Sequence, residues 1–146
     1  MRRTQFGKLI IVICLILELF SSLVVLLNSE KMSPLLLLVF FGIPTLILLL
    51  FYKLDIVITE TQIKISFGIG IIKKGFQIEK IVDVKPVRNP AMVGWGIRIT
   101  PGYSLYNVSG LDAIELTLKD KIRKVRIGTD SKDEIVEYIN KIIKKS

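Results

Sequence analysis

LIIVICLILELFSSLVVLL (Leu9–Leu27), NSEKMSP (Asn28–Pro34) and LLLLVFFGIPTLILLLFY (Leu35–Tyr52) follow one another directly, and the architecture hangs on them. At 1.5 Å per residue each apolar run makes a helix about 27–28 Å long, close to the ~30 Å hydrocarbon core of a bilayer. The connector holds polar turn formers and suits a tight reversal. An antiparallel transmembrane hairpin is therefore expected, with residues 1–53 assigned to it and residues 54–146 to one further domain.

The 94 residues from Lys53 onward carry 17 Lys+Arg against 11 Asp+Glu, and a basic domain tethered to a bilayer matches anionic lipid head groups. No aromatic–basic platform or nucleic-acid motif accompanies the charge, so no nucleic-acid partner is expected. The single Cys14 excludes an intramolecular disulfide and a cysteine metal site, and the absence of His removes imidazole ligation and His base chemistry. No cofactor is expected. Arg2, Arg3 and Lys8 precede the first run and Lys53 follows the second, while the connector has Lys31 offset by Glu30. This predicts a two-span protein of the cell membrane with both termini cytoplasmic. Export signals fit poorly. No small-x-small site follows Leu27, the basic stretch at Arg2–Arg3 is short, and Ile13 before Cys14 does not suit a lipoprotein site.

Glu18, Pro44 and Thr45 are the intramembrane polar candidates. Glu18 shares a helical face with Cys14, Ser21 and Ser22. Pro44 cannot donate to the Phe40 carbonyl, and Gly42 and Thr45 permit close approach. An ionised carboxylate at this depth costs several kcal/mol, so Glu18 is expected in a neutral, hydrogen-bonded form, across the hairpin or to another copy. A clamp between helices is preferred over a proton or ion site, because no relay partner is evident.

From Leu54 the apolar period becomes two. Leu54–Thr59 and Ile63–Phe67 predict a hairpin, Ile71–Ile78 a weaker strand, and Ile81–Val87 a strand at an edge or a bulge because of Pro86. Trp95–Thr100 with Ser104–Val108, and Ala113–Leu118 with Ile122–Ile127, predict two more hairpins. Ser131-Lys-Asp-Glu134 reads as a capping box opening an amphipathic helix with Ile135, Val136, Ile139, Ile142 and Ile143 inward and Lys141, Lys144 and Lys145 near its end. The class is α+β: a helical hairpin, then about seven antiparallel strands closed by a C-terminal helix.

Gly94-Trp95-Gly96-Ile97-Arg98, Tyr106-Asn107-Val108-Ser109-Gly110, Ala113-Ile114-Glu115-Leu116 and Ile127-Gly128-Thr129-Asp130 resemble bacterial PH-like domains, which commonly follow a pair of transmembrane helices. The likeness spans about Leu54–Ile143. It implies a PH-like barrel or sandwich of two near-orthogonal sheets closed by a C-terminal helix. Phosphoinositide-binding eukaryotic PH domains resemble one another in a basic first hairpin, whereas the tip here is Glu60-Thr61-Gln62.

Arg98, Tyr103, Tyr106 and Glu115 could line a pocket, yet they include no activated nucleophile or paired base, so no enzyme is expected. If loops alternate between the two ends of a meander, the turns Gly68–Gly70, Arg88–Trp95 and Lys119–Lys121 fall beside the start of the first strand. Arg88, Met92, Trp95, Lys119 and Lys121 are then the expected lipid-interface residues. The preferred function is a non-enzymatic membrane-anchored module. Its expected partners are anionic head groups, bound weakly, and an unidentified protein or a second copy in complex assembly. The alternative is a small transport or gating subunit in which Glu18 titrates.

Overall fold

The computed structural model describes residues 1–28 and 32–144; the expectations placed on Ser29–Lys31 of the connector and on Lys145 lie outside them. The class is α+β, with two N-terminal apolar helices, two sheets and a C-terminal helix. Helix α1 is Lys8–Leu27 and α2 is Pro34–Phe51, and both are long and apolar enough to cross a membrane. Only 11% and 6% of their apolar windows are buried, which is far too little for core helices of a water-soluble domain. A π-helical turn at Leu38–Gly42 interrupts α2 just before Pro44, whose missing N–H breaks the regular ladder there.

The first sheet has the order β1-β2-β3-β4: Arg2–Phe6, Lys53–Ile58, Gln62–Phe67 and Ile72–Gln77. β1 was not expected. RRTQF has no apolar alternation, and the strand is specified by its neighbour: Arg2 faces Val57 and Phe6 faces Lys53 in antiparallel register. Arg2–Phe6 and Lys53 therefore belong to the first sheet.

The second sheet has the order β5-β8-β9-β7-β6: Ile81–Arg88, Asp112–Leu118, Lys124–Gly128, Tyr103–Asn107 and Gly96–Ile99. The three predicted hairpins form, and β5, with Pro86, takes an edge. Strand β9 inserts between β8 and β7 and runs parallel to β7, so the sheet is mixed and not a simple meander. The expected barrel does not close among the described residues. A 3-10 turn at Ile78–Lys80 links β4 to β5, which lie in different sheets, and the two sheets stay separate.

Leu54, Ile56, Ile58, Ile63, Ile65 and Phe67 from the first sheet meet Val84, Ile114, Leu116, Val125 and Ile127 from the second. Helix α3, Lys132–Ile143, seals this core with Ile135 and Ile139, both fully buried. Fully burying each aliphatic side chain contributes about 1.5–3 kcal/mol, so this shared interior is the main source of stability. The expected capping box does not form. Ser131 makes no side-chain cap, its N–H donates to Thr129 Oγ1 at 3.2 Å, and Glu134 is drawn to Arg3 of β1 instead.

Candidate membrane interface

Because β1 leads directly into α1 and α2 leads directly into β2, both helices leave the first sheet at one end. Main-chain contacts fix that junction. Gly7 N–H donates to the Tyr52 carbonyl at 2.8 Å, Gly68 N–H to Lys53 at 2.8 Å, and Ile69 N–H to Leu49 at 3.1 Å. The last bond satisfies a carbonyl in the final turn of α2, which no intrahelical N–H can do. Two glycines permit the approach. A Cβ on Gly7 would stand 2.7 Å from the Phe51 carbonyl oxygen, and one on Gly68 would stand 1.9 Å from that of Leu49. Phe51 and Phe67 meet edge to face at 5.7 Å across the same seam.

Within the hairpin, Cys14, Ser21 and Pro44 are buried between the helices. Thr45 Oγ1 donates to Glu18 Oε1 at 2.6 Å. Ser21 Oγ lies 2.7 Å from its own-helix Leu17 carbonyl and 3.3 Å from that of Phe40, so its hydroxyl also faces the acceptor that Pro44 cannot serve.

The Gly68–Gly70 turn sits against the helix ends as expected. Gly7 also lies beside the Val108 carbonyl, 3.2 Å from where its Cβ would be, and this brings one end of the second sheet to the junction. By register Asn107 pairs with Gly96, and Arg88 with Asp112, so the Arg88–Trp95 segment occupies that same end. Met92 is 99% exposed, and Phe6, Ile69 and Ile71 also expose large apolar surface near the helix ends. Trp95 differs: it is half-buried, its indole N–H is enclosed, and no partner reaches it among the described residues.

Lys119 and Lys121 are elsewhere. Lys119 N–H donates to the Lys80 carbonyl at 2.9 Å, Lys121 stands 5.8 Å from the Phe76 ring centroid, and Ile78 N–H reaches Thr61 at the β2–β3 turn. That turn is opposite the helices. The loops do alternate between the two ends from β2 to β9, and by that count Lys119–Lys121, the seventh, falls with the β2–β3 turn, so the expectation that all three turns share one end is corrected.

Of the four residues suggested as a pocket, Tyr103 and Glu115 are joined through Arg126 and Arg98 lies in register with Leu105 and Arg126, whereas Tyr106 stands apart. Tyr106 faces the interior against Phe67 and Phe76, and burial raises its phenol pKa. Glu115 lies on the opposite, outer face of the second sheet. It is buried there, with Lys124 at 2.9 Å, Arg126 at 2.8 Å and Lys85 at 3.5 Å, and Arg126 stacks 3.8 Å over the Tyr103 ring. Burial pushes the Glu115 carboxyl up, but Lys124 and Arg126 outweigh it and hold the group below its ordinary value. Asp55 repeats the pattern on the first sheet. Desolvation is outweighed by Thr4, Lys53 and Arg2, and its pKa is lowered. These are paired structural charges, and each cation points at a carboxylate. Of the basic residues Lys119, Lys121, Arg123, Lys124 and Arg126, Lys124 and Arg126 serve Glu115. Among the described residues there is no cluster of three metal-ligating side chains.

No family model, no curated protein and no solved structure matches this chain.

Proposed function

We propose that the chain is a membrane-anchored, non-enzymatic interaction module whose PH-like domain is held against the cytoplasmic face by a two-span hairpin. The observation that carries the reading is the pairing of β1 with β2, which brackets the two apolar helices and gives both flanks one side of the bilayer. Arg2, Arg3, Lys8 and Lys53 cluster at that end and favour the cytoplasmic side. Two facing sheets sealed by a C-terminal helix support the PH-like reading. The bonds at Gly7, Gly68 and Ile69 make the domain a rigid extension of the hairpin. Its membrane-side rim of Phe6, Ile69, Ile71 and Met92, with Arg88 beside it, contacts lipid, and the far end with Lys119 and Lys121 is free for a protein partner.

Photoactivatable lipid in vesicles holding the full chain tests this arrangement. Label is expected at Ile69, Ile71 and Met92 and not at Lys119–Ile122. Label concentrated on Lys119–Ile122 would reverse the domain's orientation and defeat the reading.

A further inference from the structure

We infer that Glu18 pairs the hairpin with that of a second copy of this chain, an inference that rests on the membrane-spanning reading above. Thr45 engages Oε1, and among the described residues no partner reaches Glu18 Oε2. Glu18 is half-buried and Thr45 exposed, so the pair opens outward from the seam that buries Cys14, Ser21 and Pro44. Eleven residues separate Glu18 from Gly7 at the domain end, about 16 Å along the helix and close to the middle of a ~30 Å core. A polar oxygen facing hydrocarbon at that depth is costly, and such groups face protein or pair with one another.

A second copy is the natural complement. A neutral carboxyl carries one donor and one acceptor, so two of them satisfy each other. A two-fold axis along the membrane normal brings the same residue of each copy to the same depth and leaves both domains on one side. Any other partner needs its own polar group placed at that level. The surface around Glu18 is open for the contact: Leu15 and Ser22 flank it on α1, and Leu49, one turn on, shares the outward face of Thr45 on α2. Ile16 lies on the opposite side of α1 and is equally exposed.

The test uses the full chain in phosphatidylcholine–phosphatidylglycerol vesicles, with Cys14→Ser and a single cysteine at Ser22 or Ile16. Oxidation is expected to cross-link Ser22→Cys several-fold faster than Ile16→Cys, with both proteins resistant to alkaline extraction. Glu18→Leu is expected to lower the dimer association constant by roughly 3–30-fold, the range for one interhelical hydrogen bond, and Glu18→Gln to preserve it. Photobleaching of the chain with one C-terminal fluorophore and no other change counts copies independently: two steps support the pair and one step overturns it. Equal cross-linking at both positions in alkali-resistant protein defeats the pairing alone. Release of the protein into the alkaline supernatant defeats the membrane-spanning reading and the pairing with it.

Discussion

The Gly7 amide and the Tyr52 carbonyl, 2.8 Å apart, join the start of one apolar helix to the end of the other. Forty-five positions apart in sequence, they close the hairpin where the sheet begins, and Gly68 fills the remaining gap. The domain therefore has no free linker to the helices. A tilt of the hairpin is passed to the first sheet through main-chain hydrogen bonds.

Gly68→Ala is expected to cost about 1–3 kcal/mol, the usual range for overpacking. The new Cβ would meet the Leu49 carbonyl oxygen at 1.9 Å, and φ is +50°. Gly96→Ala separates the two effects, because φ is +95° there and nothing lies within 4 Å. Only backbone strain of about 1 kcal/mol is expected from it. Thermal unfolding in detergent should rank Gly68→Ala well below Gly96→Ala; the reverse order would mean that the junction is soft.

Glu18→Gln should be close to neutral for the monomeric hairpin, because an amide oxygen still accepts from Thr45. Glu18→Leu should loosen it by about 0.6–2 kcal/mol. A double-mutant cycle with Thr45→Val, measured by detergent-titration unfolding at dilutions that keep the chain monomeric, should return a favourable coupling. Zero coupling would reduce the 2.6 Å contact to coincidence.

Glu115 makes the second sheet acid-sensitive. Its folded pKa is depressed, so the stability it contributes is complete above its unfolded value of about 4.3 and is lost as pH falls through the lower folded value. Stability should decline below about pH 5, with Asp55 adding to the slope in the same direction. Glu115→Gln should flatten that decline. Glu115→Ala should cost about 3 kcal/mol at neutral pH, near the low end for breaking a buried pair because Lys85 and Lys124 can turn to water. Urea titrations at pH 7 and pH 4 check both.

The helices and the β2–β3, β6–β7 and β8–β9 hairpins are legible in sequence because apolar periodicity and turn residues agree there. Glu18 and Thr45 could be nominated as well, since polar side chains in an apolar run have few other positions to take. β1 was hidden. Arg2, Thr4 and Phe6 carry no alternating pattern, and the strand owes its place to pairing with residues across the whole hairpin. The capping box failed for the same reason: Arg3, arriving on that strand, takes the Glu134 carboxylate. Lys119 and Lys121 sit in the seventh loop counted from β2, and because the loops alternate between the two ends that loop falls beside the β2–β3 turn, away from the helices. The buried surroundings of Glu115 were equally hidden, because Lys85, Lys124 and Arg126 come from two strands that flank β8.

These corrections redefine which fragment should fold without the hairpin. Residues 54–146 alone lack β1, so β2 presents an open edge, and Asp55 loses Arg2, Thr4 and Lys53 together. An open edge invites pairing with other chains, and a buried carboxylate stripped of its partners is strongly destabilising. Phe6 faces Lys53 in the antiparallel register, so replacing Gly7–Tyr52 with Asn-Gly should turn β1 and β2 into a two-residue hairpin. That spliced domain should be monomeric and unfold cooperatively, whereas residues 54–146 should aggregate. It should bind anionic liposomes weakly and lose the binding in high salt. Lys119→Glu with Lys121→Glu should leave that binding unchanged, because both residues lie at the end away from the helices. Arg88→Glu with Met92→Asp should weaken it at least five-fold, since each basic residue near an anionic surface contributes about 1 kcal/mol. Liposome sedimentation of the two double variants decides the matter: loss of binding on changing Lys119 and Lys121 alone would put the lipid-facing surface at the wrong end.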